Sequence, residues 1–316
     1  MLTIKLYSKR LGLIAAAFLL FSRYAAAQTD VDAIMIPKNN FCAGVMYSHS
    51  SWKDYWEGTF KRDNLNLGKV TTHMYAAMGN YGISNKINLL FSLPYVTTFA
   101  SGGTLRGMKG IQDLSLIVKW MPLDKAIGQG NISLYGIGGL VTPLTNYVAD
   151  FLPMSIGMHS KNIWLRGMAD YQLNNFFVTA SVIYTRRSDI NIDRTAYYTN
   201  EMHYTNEVKM PDMAGFNLRA GLRSRQWIAE VVVDKSKTLG GFDIRKNDMP
   251  FPSNEMNVTR AGVNFKYTSH LVRGLELTGG GNYVISGRNV GQSFMINGGA
   301  FYIMDFSKKK TVTANN

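Results

Sequence analysis

The feature that most constrains this chain is a hydrophobic period of two that persists along most of its length. Between Asp212 and Arg223, one face carries Ala214, Phe216, Leu218, Ala220 and Leu222, and the other carries Asn217, Arg219 and Arg223. A helix would mix these sets, because its neighbours lie three and four residues apart whereas same-face residues of a strand lie two apart. The same alternation recurs from Thr259 to Tyr267, from Leu275 to Ile285 and from Phe294 to Phe306. After Ala27 no apolar run approaches the roughly 18 residues that a transmembrane helix needs. Composition agrees: 12% aromatic and only 17% charged residues coexist with a mean hydropathy of -0.08. That average fits strands with one apolar and one polar face.

Lys5, Lys9 and Arg10 precede the apolar run Leu11 to Phe21, and Ala25-Ala26-Ala27 offers the small residues a signal peptidase reads. Residues 1–27 are therefore expected to be a cleaved secretory leader, and residues 28–316 the folded domain. The run is too short for an amino-terminal membrane anchor. Loss of Lys5, Lys9, Arg10 and Arg23 lowers the formal net charge from +13 to +9. Cys42 is the single cysteine, so an exported fold of this sequence has no intrachain disulfide. It is expected to be a small apolar filler near the first strand.

Alternating segments are expected at about 41–51, 69–80, 87–98, 111–121, 131–142, 161–173, 176–187, 212–223, 227–236, 257–268, 275–286 and 292–306. An even number of strands, most of about 10–13 residues, suits an all-β, antiparallel, up-and-down transmembrane barrel of about 12 strands. Short links (81–86, 122–130, 174–175, 224–226, 269–274) alternate with long ones (52–68, 143–160, 188–211, 237–256), as periplasmic turns alternate with extracellular loops. Seven of the eight prolines are expected at strand ends or in links, and Pro94 alone within a strand. Tyr81, Tyr95, Trp120, Trp164, Tyr171, Trp227, Tyr267 and Tyr302 lie where interfacial girdles would be. A soluble β-sandwich or propeller is the competing architecture, since it too alternates. The barrel reading places the protein in the outer membrane of a Gram-negative bacterium, among membrane lipid and lipopolysaccharide.

Two adjacent segments carry a family resemblance. Tyr81-Gly82-Ile83-Ser84-Asn85-Lys86, followed by alternation to Pro94-Tyr95, and Gly110-Ile111-Gln112-Asp113-Leu114 running to Lys119-Trp120, resemble the outer-membrane transporter family labelled "MetA-pathway of phenol degradation". The Thr142-Pro143 step is similar to a third element of that family. Gln112 stands where the family usually has Gly, and Leu144 follows Pro143 in place of Thr-Gly. The resemblance implies an outer-membrane barrel engaged in uptake of hydrophobic or aromatic compounds.

If the apolar face meets lipid, the polar face lines a lumen holding Asp113, Lys119, Arg166, Asp170, Arg219, Arg223, Glu230, Asp234, Arg260, Lys266, Glu276 and Asp305. Six basic and six acidic residues suggest a narrow, salt-bridged interior more than a pore selective for one sign of charge. The link 143–160 is apolar for a water-facing loop, and its Tyr147, Phe151, Met154 and Met158 are candidates for a ligand-capture surface or a folded-in plug. Pro94 removes one ladder hydrogen bond and is a candidate strand break or lateral opening. Trp52, Tyr55, Trp56 and Phe60 beside Lys53, Lys61 and Arg62 suit lipopolysaccharide headgroups equally well.

The expected function is passive uptake of small, hydrophobic or aromatic solutes. An occluded barrel serving a secretion or surface-assembly complex, with unidentified protein partners, is the first alternative, and an outer-membrane enzyme the second. None of His49, His73, His159, His203 and His270 stands in a catalytic spacing, and no zinc, P-loop or nucleophile-elbow motif occurs. Met154, Met158 and His159 could ligate a soft metal, but among 17 methionines the spacing is better read as chance. No cofactor, metal or nucleic-acid partner is expected, and Lys308-Lys309-Lys310 reads as a solvated tail.

Overall fold

The computed structural model describes residues 29–245 and 248–307. The expected leader and the Lys308-Lys309-Lys310 tail lie outside the described residues. Twelve long strands form one antiparallel sheet: β1 (Asn40–Trp52), β2 (Val70–Ser84), β3 (Ile87–Ala100), β4 (Asp113–Ile127), β5 (Gly130–Pro143), β6 (Asn162–Leu173), β7 (Phe176–Arg187), β8 (Met213–Arg223), β9 (Trp227–Thr238), β10 (Asn257–Thr268), β11 (Leu275–Arg288) and β12 (Phe294–Asp305). Each strand pairs with its sequence neighbours, and β1 closes on β12 from Asn40↔Asp305 to Ser51↔Phe294. Closure leaves no unpaired edge, which is what allows a sheet to sit in hydrocarbon.

Burial follows the alternation. Val45, Leu116, Val118, Leu140, Ile163, Leu165, Val182, Val231, Val263 and Ile285 are exposed on the outer wall, whereas Cys42, Tyr135, Ile137, Phe177 and Ile303 are buried inside. Turns at 85–86, 128–129, 174–175, 224–226 and 269–274 mark one rim, and the long loops mark the other. Tyr81, Trp120, Tyr171, Trp227 and Tyr302 are exposed toward the short-turn rim. The fold is thus an outer-membrane type β-barrel with short periplasmic turns and long extracellular loops.

Two expectations need correction. Trp164 is not a girdle residue: it is 7% exposed, on the inward side of β6, with its ring over Gly139, where a Cβ would collide with it. Its parity in the strand, and not its aromatic character near a strand end, sets which way it points. Pro122 is not in a link, because β4 continues to Ile127; the ladder shifts register between Trp120 and Leu123, and a proline is tolerated at such a bulge. Pro94 lies within the unbroken β3, in register with Ala76 of β2. The irregularity is in the neighbouring chain. Lys109–Ile111 pairs with β3 as a separate short strand, and Gln112 donates its N–H to the Pro94 carbonyl at 2.9 Å before β4 begins.

The loops are built, not loose. Asp54–Glu57 and Phe60–Asp63 form a hairpin. Residues 188–212 contain two nested hairpin pairings, Ile190–Asn191 with Glu207–Val208 and Tyr197–Tyr198 with Met202–His203. Ala149, Ile190, Ile192, Val208 and Met210 form an apolar cluster joined by Met158, Tyr197 and Phe251, so three long loops pack into one extracellular cap.

Candidate functional site

The interior is occupied from below by the segment ahead of β1. Gly82 lets it enter: Asn39 donates its N–H to the Gly82 carbonyl at 2.8 Å, and any Cβ at Gly82 would strike the Pro37 carbonyl oxygen. Ile36 is fully buried against Cys42, Phe301 and Ile303, and Ala33 packs with Tyr135, Ile137, Trp164 and Met168. Farther in, the chain folds around Asp32. That carboxylate accepts from the Thr29 N–H at 2.7 Å, the Thr29 hydroxyl at 3.0 Å and the Ile34 N–H at 3.2 Å, a turn typical of Asp.

Lys119 of β4 is 0% exposed and holds this turn in place. Its Nζ donates to the Asp32 carboxylate at 3.0 Å and to the carbonyls of Thr29, Asp32 and Ile34 at 3.0, 2.6 and 2.9 Å. The Tyr135 hydroxyl donates to the Ala33 carbonyl at 2.9 Å, and Arg166 of β6 meets Asp30 at 3.2 Å. Removing one partner from a buried pair of this kind costs about 3–5 kcal/mol, since the other charge stays buried and uncompensated.

The remaining wall cations pair within the wall. Arg219 meets Glu230 at 2.5 Å, Arg223 meets Asp170 at 3.0 Å, Arg260 meets Asp234 at 3.3 Å and Lys266 meets Glu276 at 3.8 Å. All twelve lumen candidates occupy inward positions of their strands, and each of the six cations lies within salt-bridge distance of a carboxylate. Asp113 instead accepts from the Tyr147 hydroxyl at 2.6 Å, and Asp305, at the periplasmic rim, accepts from the Ser307 N–H at 2.9 Å. Asp30 and Asp32 were missed by sequence reasoning, because the count of wall charges already balanced. The available signal was two acids within a Thr-Asp-Val-Asp stretch just ahead of the first strand.

From above, the loop after β5 folds over the mouth. Tyr147 and Met154 are buried, and Phe151 and Met158 are half-buried. Tyr147 packs with Val96 and Ile156 beside Met74 and Met108, while Met154 packs with Leu67 and Val70. The Thr98 hydroxyl donates to the Met154 carbonyl at 2.6 Å, and the His159 N–H donates to the Tyr147 hydroxyl at 2.9 Å. Burial, then the hydrogen bond to Asp113, pushes the Tyr147 phenol pKa upward, so it remains a proton donor. Among the described residues no group of three or more metal-ligating side chains converges.

Between the amino-terminal segment and the wall from β7 through β12 to β2 lies a cavity of about 250 Å³. Its apolar lining includes Phe177, Phe301, Met46 and Met295, and its charged lining is Asp32, Arg219, Arg223, Glu230 and Lys266. A second space of about 330 Å³, lined by Asp30, Asn80, Leu90 and Trp164, lies on the segment's other side.

No protein-family profile and no curated protein sequence matches the chain. Solved structures do. The COG4313 outer membrane channel from Pseudomonas putida F1 superposes with a TM-score of 0.71 at 17% identity, covering 88% of this chain and 100% of that one. The translocator domain of autotransporter NalP from Neisseria meningitidis covers 95% of each chain at 9% identity, with a TM-score of 0.45. A TodX monoaromatic hydrocarbon channel variant covers 86% of this chain and 91% of its own at 10% identity, with a TM-score of 0.40. At these identities the first of the three establishes the barrel fold that this chain shares.

Proposed function

We propose that this protein is an outer-membrane channel admitting single-ring aromatic or similarly small solutes by diffusion, exported with residues 1–27 removed as a signal peptide. The observation that carries the reading is the interior cavity of about 250 Å³, walled by phenylalanines and methionines on some sides and by arginine, lysine and carboxylate on others. A dry cavity of about 150 Å³ is enough for benzene. The charges among its lining residues sum to one positive, a setting for a phenol or an aromatic carboxylate. The fold shared with the Pseudomonas putida channel supports the same reading. Membrane lipid surrounds the wall, and lipopolysaccharide is the proposed neighbour at the extracellular rim.

Liposome-swelling and planar-bilayer recordings test this. The full-length barrel is expected to give a small ion conductance and to pass phenol or benzoate while excluding a disaccharide. Deleting residues 29–37 is expected to raise conductance several-fold. If neither form conducts, although both shift in gel mobility on boiling as closed barrels do, the occluded, complex-forming reading replaces the channel.

A further inference from the structure

Cations on the outside of the barrel are as informative as those within it. Arg186, Lys235 and Lys237 occupy outward positions near the extracellular ends of β7 and β9, and Lys161 immediately precedes β6; all four are exposed. The ladder brings them together: Arg186 is in register with Ile163, Lys237 with Ala214 of β8, and Ala214 with Tyr184 of β7. None of the four has a carboxylate within salt-bridge distance among the described residues. The cations of the 54–63 hairpin region, by contrast, are each satisfied: Lys53 by Asp63 at 3.3 Å, Lys61 by Asp54 at 3.0 Å and Arg62 by Glu57 at 2.9 Å.

Above this rim is an open recess of about 900 Å³, lined by Lys161, Arg186, Lys209, Tyr197 and Asn200, with Ile163 and Leu239 among its apolar residues. The acids facing it are Asp189 and Asp212. Asp212 is engaged already, accepting from the Tyr184 hydroxyl at 2.5 Å and the Arg187 N–H at 3.1 Å. The hydrogen bond from Tyr184 holds its carboxyl pKa below the usual range, so it stays ionised while the cations still outnumber the acids. Below the rim, Leu165, Val182, Phe216 and Val233 present an exposed apolar wall.

We infer that the extracellular rim of β6–β9 is a binding site for the phosphorylated glucosamine head of lipopolysaccharide, with its acyl chains along the apolar wall beneath. This rests on the outer-membrane placement proposed above and is independent of whether the lumen conducts. A cation at mid-depth on the lipid face is costly, but at the interface it meets anionic headgroups, and charge-assisted bonds to phosphate are among the stronger polar contacts. An extended headgroup with two phosphates suits a rim whose cations span three neighbouring strands better than a small free anion does. The recess leaves room for the sugar.

The test is titration of delipidated, refolded full-length barrel with bisphosphorylated lipid A, followed by native mass spectrometry. The triple variant Arg186→Gln/Lys235→Gln/Lys237→Gln is expected to weaken binding about tenfold or more. Lys125→Gln, at the short-turn end, is expected to leave it unchanged. Lipid A stripped of its phosphates should bind the unmodified protein as weakly as intact lipid A binds the triple variant, a comparison that survives if the variant does not fold. Equal affinity for stripped and intact lipid A would overturn the site, as would equal losses in the triple and Lys125→Gln variants. Displacement by millimolar inorganic phosphate would reassign it to free phosphate. Because the three residues face outward, conductance of the triple variant should match that of the parent, which separates failure of this site from failure of the channel.

Discussion

The two sides of the barrel interior solve the same electrostatic problem differently. On the β4–β6 side, Lys119 and Arg166 reach across to Asp32 and Asp30, which belong to the amino-terminal segment and not to the wall. On the β8–β11 side, Arg219, Arg260 and Lys266 find carboxylates on adjacent strands. The first arrangement couples wall to plug; the second only braces the wall. In the proposed channel a solute on the second side would meet paired charges and aromatic rings, whereas the first side is sealed as long as the amino-terminal segment stays docked.

The sharpest way to break this contrast is Lys119→Met. Four oxygens of the segment lose their donor, which should undock it at a cost of about 3–5 kcal/mol. The expected readouts are protease access at residues 29–36 and a several-fold rise in single-channel conductance, with the boiling-dependent gel shift retained. Arg219→Met should do less, because Glu230 keeps the Asn264 amide at 2.8 Å. A loss of about 1–3 kcal/mol in urea titrations is expected, with a shift of ion selectivity toward cations and no new protease site. Smaller still is Arg260 with Asp234, whose side chains are 40% and 37% exposed. A double-mutant cycle there should give a coupling below about 1 kcal/mol, against a larger one for Lys119 with Asp32.

Acid sharpens the comparison from outside the lumen. The bidentate hydrogen bonds from Arg288 hold the Asp243 carboxyl pKa below its ordinary value, with Asn289 adding a third donor. A depressed carboxylate contributes stability that is present above its unfolded pKa, about 4, and is lost as pH falls through the folded value. The 239–256 loop should therefore become protease-sensitive on acidification below about pH 4, while Asp243→Asn is sensitive already at neutral pH.

The strands were legible because burial on one face forces a strict parity, and parity is written in Ala214, Phe216, Leu218 and their like. It also located the inward charges, since a guanidinium facing lipid would be costly. What parity cannot encode is which distant groups meet. Arg166 and Asp30 are 136 positions apart, and nothing local to either marks the other. Trp164 and Pro122 were misplaced for a related reason: residue type at a strand end was read in place of ladder position. The folded-over loop was visible as excess apolarity at Tyr147 and Met154, but its docking on Val96 and Val70 was not, because those strand residues would be inward-facing in either case.

The amino-terminal segment runs without interruption into β1, and β1 is also half of the seam that closes the cylinder against β12. Stopper and zipper are thus a single stretch of polypeptide. During assembly the segment must already be inside when the seam shuts, or be threaded in through the periplasmic opening afterwards. In the finished molecule it can leave only by that opening, because its attachment at Asn39 to Gly82 sits on that rim. Any periplasmic agent that grips the segment at residues 37–39, where it crosses that rim, would therefore pull on the seal directly, with no need to deform the barrel.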